Sequence, residues 1–247
     1  MTAGNKRRIA AVVALITLLG FDVGFQLVAQ QIYRVLSSLK AGNLLSAIAG
    51  QSVMFVFAIL MTAIFVKKGF LTSVLFRSDR KSPWRYVLVF ALVWPILLSA
   101  VYGLVYLLDV QTWLGITRLP LPTASDMRST LFFQSLFPGL GEEPLYRGFL
   151  IVLLVGRYWD ADMEISTLSR NLIIVLSAVI FSVAHLSYTF SPFSVLYDSY
   201  QLLTALVLGG FQAYVFIKTR NLWGSIWIHN IANVTMSLVV WAISSMF

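Results

Sequence analysis

Cysteine is absent from the 247 residues, which excludes a disulfide framework, a thiolate metal centre and a cysteine nucleophile. Charge is nearly as scarce. Only 11% of residues are Asp, Glu, Lys or Arg, against about 25% in a soluble globular domain. No G-x-S-x-G turn occurs in the chain, which argues against the strand–elbow–helix serine hydrolases. Glutamate appears three times and histidine twice. What fills the chain instead is apolar: 59% hydrophobic residues and a mean hydropathy of +0.84. A soluble secreted domain and a disordered chain are excluded with the same numbers. The net charge of +8 would point to nucleic acid in a soluble protein. Here most basic residues flank apolar runs, so it reads as membrane topology, with membrane lipid as partner and no nucleic acid.

Apolar runs of about 18 residues or more can cross a bilayer as helices. Seven are expected: Ile9–Val28, Leu44–Val66, Tyr86–Leu108, Thr130–Val155, Asn171–Tyr188, Leu196–Ile217 and Leu222–Ser245. The fold class is therefore all-α, a polytopic transmembrane helical bundle. The first run follows Lys6, Arg7 and Arg8, but it is too long for a signal-peptide core and lacks a clean cleavage site, so it is expected to be retained. With the N-terminus cytoplasmic, thirteen Lys and Arg fall on that side, against Arg34, Lys40, Arg118 and Arg128 on the other. The bias predicts a plasma-membrane protein with its N-terminus inside and its C-terminus outside. The basic loop between Lys67 and Arg85 carries Gly69-Phe70-Leu71 and Val74-Leu75-Phe76, compatible with an amphipathic helix on anionic headgroups or with a solvated loop. No internal repeat of the kind found in many transporters is visible.

An ionisable side chain in a span costs roughly 2.5–3.5 kcal/mol on insertion scales, so each needs a partner or a use. Two of the three glutamates, Glu142 and Glu143, are adjacent in the fourth run, and His185 and His229 lie in later ones. The fourth run reads Pro138-Gly139-Leu140-Gly141-Glu142-Glu143-Pro144-Leu145-Tyr146-Arg147-Gly148. Pro138 and Gly139 predict a break, with a new helix starting at the acidic pair and its positive end favouring the carboxylates. Glu143 and Arg147 are spaced for an ion pair on one helix face. Adjacent helical residues diverge by about 100°, so Glu142 is expected to face a different neighbour. Phe181 and His185 share a face, as do His229 and Asn233. One carboxylate, two imidazoles and an amide are enough for a general base, an electrophilic helper and an oxyanion donor. They come equally close to a zinc set of Glu142, His185 and His229 with water as fourth ligand. Asp22 and Asp198 are expected to be structural or interfacial, and Gly209 and Gly210 to permit close helix packing.

These three motifs, Glu142-Glu143 with Arg147, Phe181 with His185, and His229 with Asn233, resemble in order those of the CPBP family of intramembrane endopeptidases, which includes CAAX prenyl proteases and bacteriocin-processing or immunity proteins. The resemblance runs from about Phe133 to Val240 and implies a CAAX-protease-like core in residues 129–247, preceded by N-terminal helices and the basic loop in 1–128. It implies that Glu142 and His185 activate a water, that His229 and Asn233 hold the oxyanion, and that Glu143, Arg147 and Phe181 give structural support. The implied substrate is a hydrophobic or lipidated peptide or protein tail, as in pheromone or bacteriocin processing. A glutamate mechanism without a metal is favoured over zinc. The rival readings are a non-catalytic immunity or partner-binding protein on the same fold and a proton-coupled transporter.

Overall fold

A computed structural model of the chain describes residues 12, 16, 18–24, 43–66, 81–117, 121–155 and 166–246. The basic loop over 67–80 and the acidic stretch with Asp160, Asp162 and Glu164 lie outside the described residues. Residues 18–24 are helical. They are followed by α1 (Asn43–Phe65), α2 (Trp84–Leu108), α3 (Val110–Thr117) and α4 (Ala124–Glu143). A π-helical segment, Pro144–Ile151, leads into α5 (Val152–Val155) and α6 (Thr167–Val183). A hairpin of β1 (Ser187–Phe190) and β2 (Phe193–Leu196) then precedes α7 (Ser199–Thr219) and α8 (Leu222–Met246). The hairpin aside, the architecture is the all-α membrane bundle expected from composition.

Four helices among the described residues are long and apolar enough to cross a membrane: Leu44–Phe65, Trp84–Leu108, Ser199–Thr219 and Leu222–Met246. The expected span Asn171–Tyr188 is instead the shorter helix α6, whose continuation turns into β1. Leu196, expected to open a span, belongs to β2, and α7 begins beyond it because the Asp198 side chain accepts the Tyr200 and Gln201 N–H groups. The Tyr200 hydroxyl donates to Asp109 at 2.8 Å, tying the α2–α3 turn to the start of α7. That bond and those from Thr112 hold the Asp109 carboxyl below the usual carboxylate range.

The fourth expected span departs most from the sequence reading. No helix restarts at the acidic pair: α4 runs through Pro138 and Gly139 to Glu143 and passes directly into the π-helical segment. Neighbouring helices make this tolerable. A helical proline removes one backbone bond and crowds the carbonyl four residues back, and the Gly139 N–H donates to the Asn230 side chain on α8 at 2.8 Å. Pro144 imposes the same defect six residues later, and the wider π turn absorbs it. All eight π residues are buried. Around them α1 brings Met54, Ala58 and Met61 at helical spacing, with Leu18 and Phe216 in the same cluster. A second cluster joins Val87, Phe90, Trp94 and Leu98 of α2 to α7 and α8. Outward-facing Leu92 and Ile96 are 73% and 70% exposed, as side chains facing lipid should be.

Close approach of α4 to α8 depends on Gly139. A Cβ there would lie 2.6 Å from the Ile226 carbonyl oxygen and 2.7 Å from the Asn230 side-chain oxygen. Gly139→Ala is therefore expected to lower stability by about 1–3 kcal/mol, the range for overpacking a tight interior. Thermal unfolding in detergent checks this, and an unchanged midpoint would remove glycine's role in the contact. At Gly209 a Cβ would come within 3.0 Å of Phe181 and 3.4 Å of the Ala178 Cα, the close α6–α7 approach expected of that residue.

Candidate active site

Glu142 and Glu143 end α4, and Glu142 lines a cavity of about 630 Å³. The cavity is lined by Glu142, His185, His229 and Asn233 together with Gln51, Gln134 and other α4 and α8 residues. The structure thus brings the four sequence-selected polar groups to one space. Glu143 and Arg147 sit beneath it, both fully buried, with Arg147 Nε 3.1 Å from Glu143 Oε2. Arg147 Nη2 donates to Gln212 Oε1 on α7, and its guanidinium lies 4.2 Å from the Phe181 ring centroid. Such a buried cation is held by an ion pair, an amide and an aromatic face together.

The two glutamates diverge, yet both reach the same histidine. Glu143 Oε1 is 2.8 Å from His229 Nδ1, and Glu142 Oε2 is 3.9 Å from His229 Nε2. The expectation that adjacent carboxylates need different neighbours fails because an imidazole offers a nitrogen on each side. With Arg147 on its other oxygen, Glu143 is a carboxylate and accepts the Nδ1–H, which fixes the ring and aims Nε2 at Glu142. Glu142 also accepts from Gln51 Nε2 of α1 at 3.0 Å.

His185 follows α6, and its Nδ1 is 2.8 Å from the Phe181 carbonyl oxygen. A carbonyl can only accept, so Nδ1 carries a hydrogen, and in the neutral ring Nε2 carries the lone pair. Phe181 packs edge-on against both histidines, with centroid distances of 4.8 Å to His185 and 5.9 Å to His229. It is the spacer that sets the two rings apart. Asn233 donates one Nδ2 hydrogen to Gln134 Oε1 at 3.0 Å, which leaves its second N–H for another acceptor. Among the described residues no three His, Asp or Glu side chains are gathered closely enough to hold a metal ion, and Glu142, His185 and His229 all line the cavity.

Four amides escaped the sequence reading: Gln51, Gln134, Gln212 and Asn230. Each was visible as an amide inside an apolar run, where a group with so many hydrogen-bonding positions needs a partner. Asp22 is half-buried within residues 18–24.

Residues 125–235 match the family described as type II CAAX prenyl endopeptidase Rce1-like. No curated protein and no solved structure matches the chain.

Proposed function

Because the chain belongs, through residues 125–235, to the type II CAAX prenyl endopeptidase Rce1-like family, we propose that it hydrolyses peptide bonds of hydrophobic or lipidated membrane peptides with a water activated by Glu142 and His185. The observation that carries this reading is the fixed imidazole of His229, clamped at Nδ1 by Glu143 and facing Glu142 with Nε2. At 3.9 Å the Glu142–His229 separation is too long for a direct hydrogen bond. It places the two groups side by side, within reach of neighbouring atoms of one reacting centre.

In this mechanism a water lies between Glu142 and the His185 Nε2 lone pair. As its oxygen bonds to the scissile carbonyl carbon, its proton passes to the carboxylate. The carbonyl oxygen becomes an oxyanion and accepts from the free Asn233 N–H and from His229 Nε2–H. With Nδ1–H on Glu143, donation from Nε2 requires His229 to be an imidazolium, so that Glu142, Glu143, Arg147 and His229 sum to zero charge before the water is deprotonated, and the +1 left once Glu142 takes the proton is balanced by the oxyanion. Collapse of the intermediate breaks the C–N bond, and the proton held by Glu142 goes to the leaving nitrogen. Gln51 fixes the carboxylate through the bond to Glu142, and Gln134 fixes Asn233. A processed peptide such as a pheromone or bacteriocin precursor has the hydrophobic character this site accepts.

The test is cleavage of a panel of membrane peptides by the purified protein in detergent, with wild type and His185→Ala, each with and without chelator. Lost cleavage in the variant and indifference to chelator support the glutamate mechanism. Chelator sensitivity reversed by zinc would move the reaction to a metal, and full activity in His185→Ala would remove that residue from the chemistry. Gln51→Leu is expected to lower kcat about tenfold with little change in KM, since it removes one hydrogen bond to a charged group worth roughly 1.5–3 kcal/mol. An unchanged kcat would show that Glu142 needs no such support.

A further inference from the structure

At the end of the bundle where α2 begins and α7 ends, a second cavity of about 520 Å³ is lined by Lys81, Arg85, Lys218 and the aromatic side chains of Tyr86, Tyr214 and Phe211. Arg85 and Lys218 from two spans and Lys81 from the approach to α2 converge there, and among the described residues no carboxylate lines the cavity. Arg85 is the unfavourable one. It stands in the first turn of α2, at the positive end of the helix dipole. That turn has no acidic residue, and Pro83 gives it no side-chain cap. The amides of this turn and the guanidinium therefore add their positive fields at one place, where an anion would offset both. Tyr86 packs edge-on to Tyr214 at 6.0 Å, and Lys218 Nζ lies 5.9 Å from the Tyr214 centroid. Apolar Val89 and Phe211 continue the wall along the spans, on the path an acyl chain would take.

From this arrangement we infer that the cavity binds the headgroup of an anionic phospholipid, with Arg85, Lys218 and Lys81 on the phosphate and the aromatic wall against the glycerol and upper acyl chain. A soluble anion would use the cations alone. The apolar continuation between two membrane spans favours a lipid, and basic pockets between spans are where such headgroups bind. The site lies apart from the Glu142–His229 cavity, with no lining residue in common, and does not depend on the proposed hydrolysis.

The experiment is thermal unfolding of the full chain in neutral detergent with added phosphatidylglycerol or phosphatidylcholine, with bound lipid counted by native mass spectrometry. Wild type is expected to be stabilised by phosphatidylglycerol over phosphatidylcholine. Arg85→Gln/Lys218→Gln is expected to bind phosphatidylglycerol about tenfold or more weakly, since each basic group near an anionic surface contributes roughly a fivefold factor. Lys218→Arg and the control Arg128→Gln should bind as wild type does. If the double variant is unstable in phosphatidylcholine, Lys218→Gln alone is read by the ratio of the two lipids, and an unchanged ratio overturns the proposal. Undiminished phosphatidylglycerol binding in the double variant overturns it in favour of general surface charge. Equal stabilisation by inorganic phosphate overturns it in favour of a free anion.

Discussion

Glu142→Gln abolishes turnover: cleavage of a membrane peptide that the wild type processes is expected to fall by about 10²–10⁴-fold, the contribution typical of a positioned general base. The substitution is chosen because it leaves geometry alone. Glutamine has the same shape, and its side-chain oxygen can still accept from Gln51 Nε2, which now stands 3.0 Å from the carboxylate. What it cannot do is take a proton from water. The unfolding midpoint should therefore stay within the wild-type range while kcat collapses. A variant that kept a tenth of the wild-type rate would relieve Glu142 of the base role and pass it to His185.

Arg147→Met has the opposite signature, with stability lost before chemistry. It leaves the Glu143 carboxylate fully buried without its cation, and breaking a buried pair from one side costs about 3–5 kcal/mol. The Gln212 side-chain oxygen loses its donor as well. Adding Glu143→Gln should recover much of the lost midpoint, because replacing both charges is far cheaper than stranding one. Activity should not return with it, since His229 Nδ1 would then face a neutral amide instead of the carboxylate at 2.8 Å. Unfolding midpoints and kcat for the two single variants and the double variant form the cycle that decides this. If Arg147→Met melted within about 1 kcal/mol of wild type, below that range for breaking a buried pair, the pair would not support the fold.

The acidic pair, the two histidines and Asn233 were legible because a membrane makes polarity expensive. A chain with three glutamates and two histidines that places four of the five in apolar runs is spending them on something. Helical spacing then paired Glu143 with Arg147 and Phe181 with His185 correctly. The sequence could not show that α4 continues past Pro138. That depends on Asn230, ninety-one positions away, accepting the Gly139 N–H. The hairpin between α6 and α7 was hidden for another reason. Its strands carry Tyr188, Phe190, Phe193 and Leu196, which by hydropathy alone continue the flanking helices. Gln51 lies on α1, outside the matched family segment, so no motif could have pointed to it.

The π-helical segment has a consequence for how this stretch tolerates change in length. A π turn holds one more residue than the α turn it replaces, so deleting a single residue between Pro144 and Ile151 would let the backbone relax into a regular helix. Because either turn is one revolution, the helix beyond the deletion would keep its facing, and the side chains inside the shortened turn would be re-spaced at the α-helical step of about 100° per residue. A deletion between Pro144 and Arg147 would also shorten the Glu143–Arg147 spacing from four residues to three, shifting the guanidinium relative to Gln212 and the Phe181 ring. Length in this segment is therefore under tighter constraint than composition: substitutions among its buried apolar residues change packing, whereas a deletion changes which side chains meet.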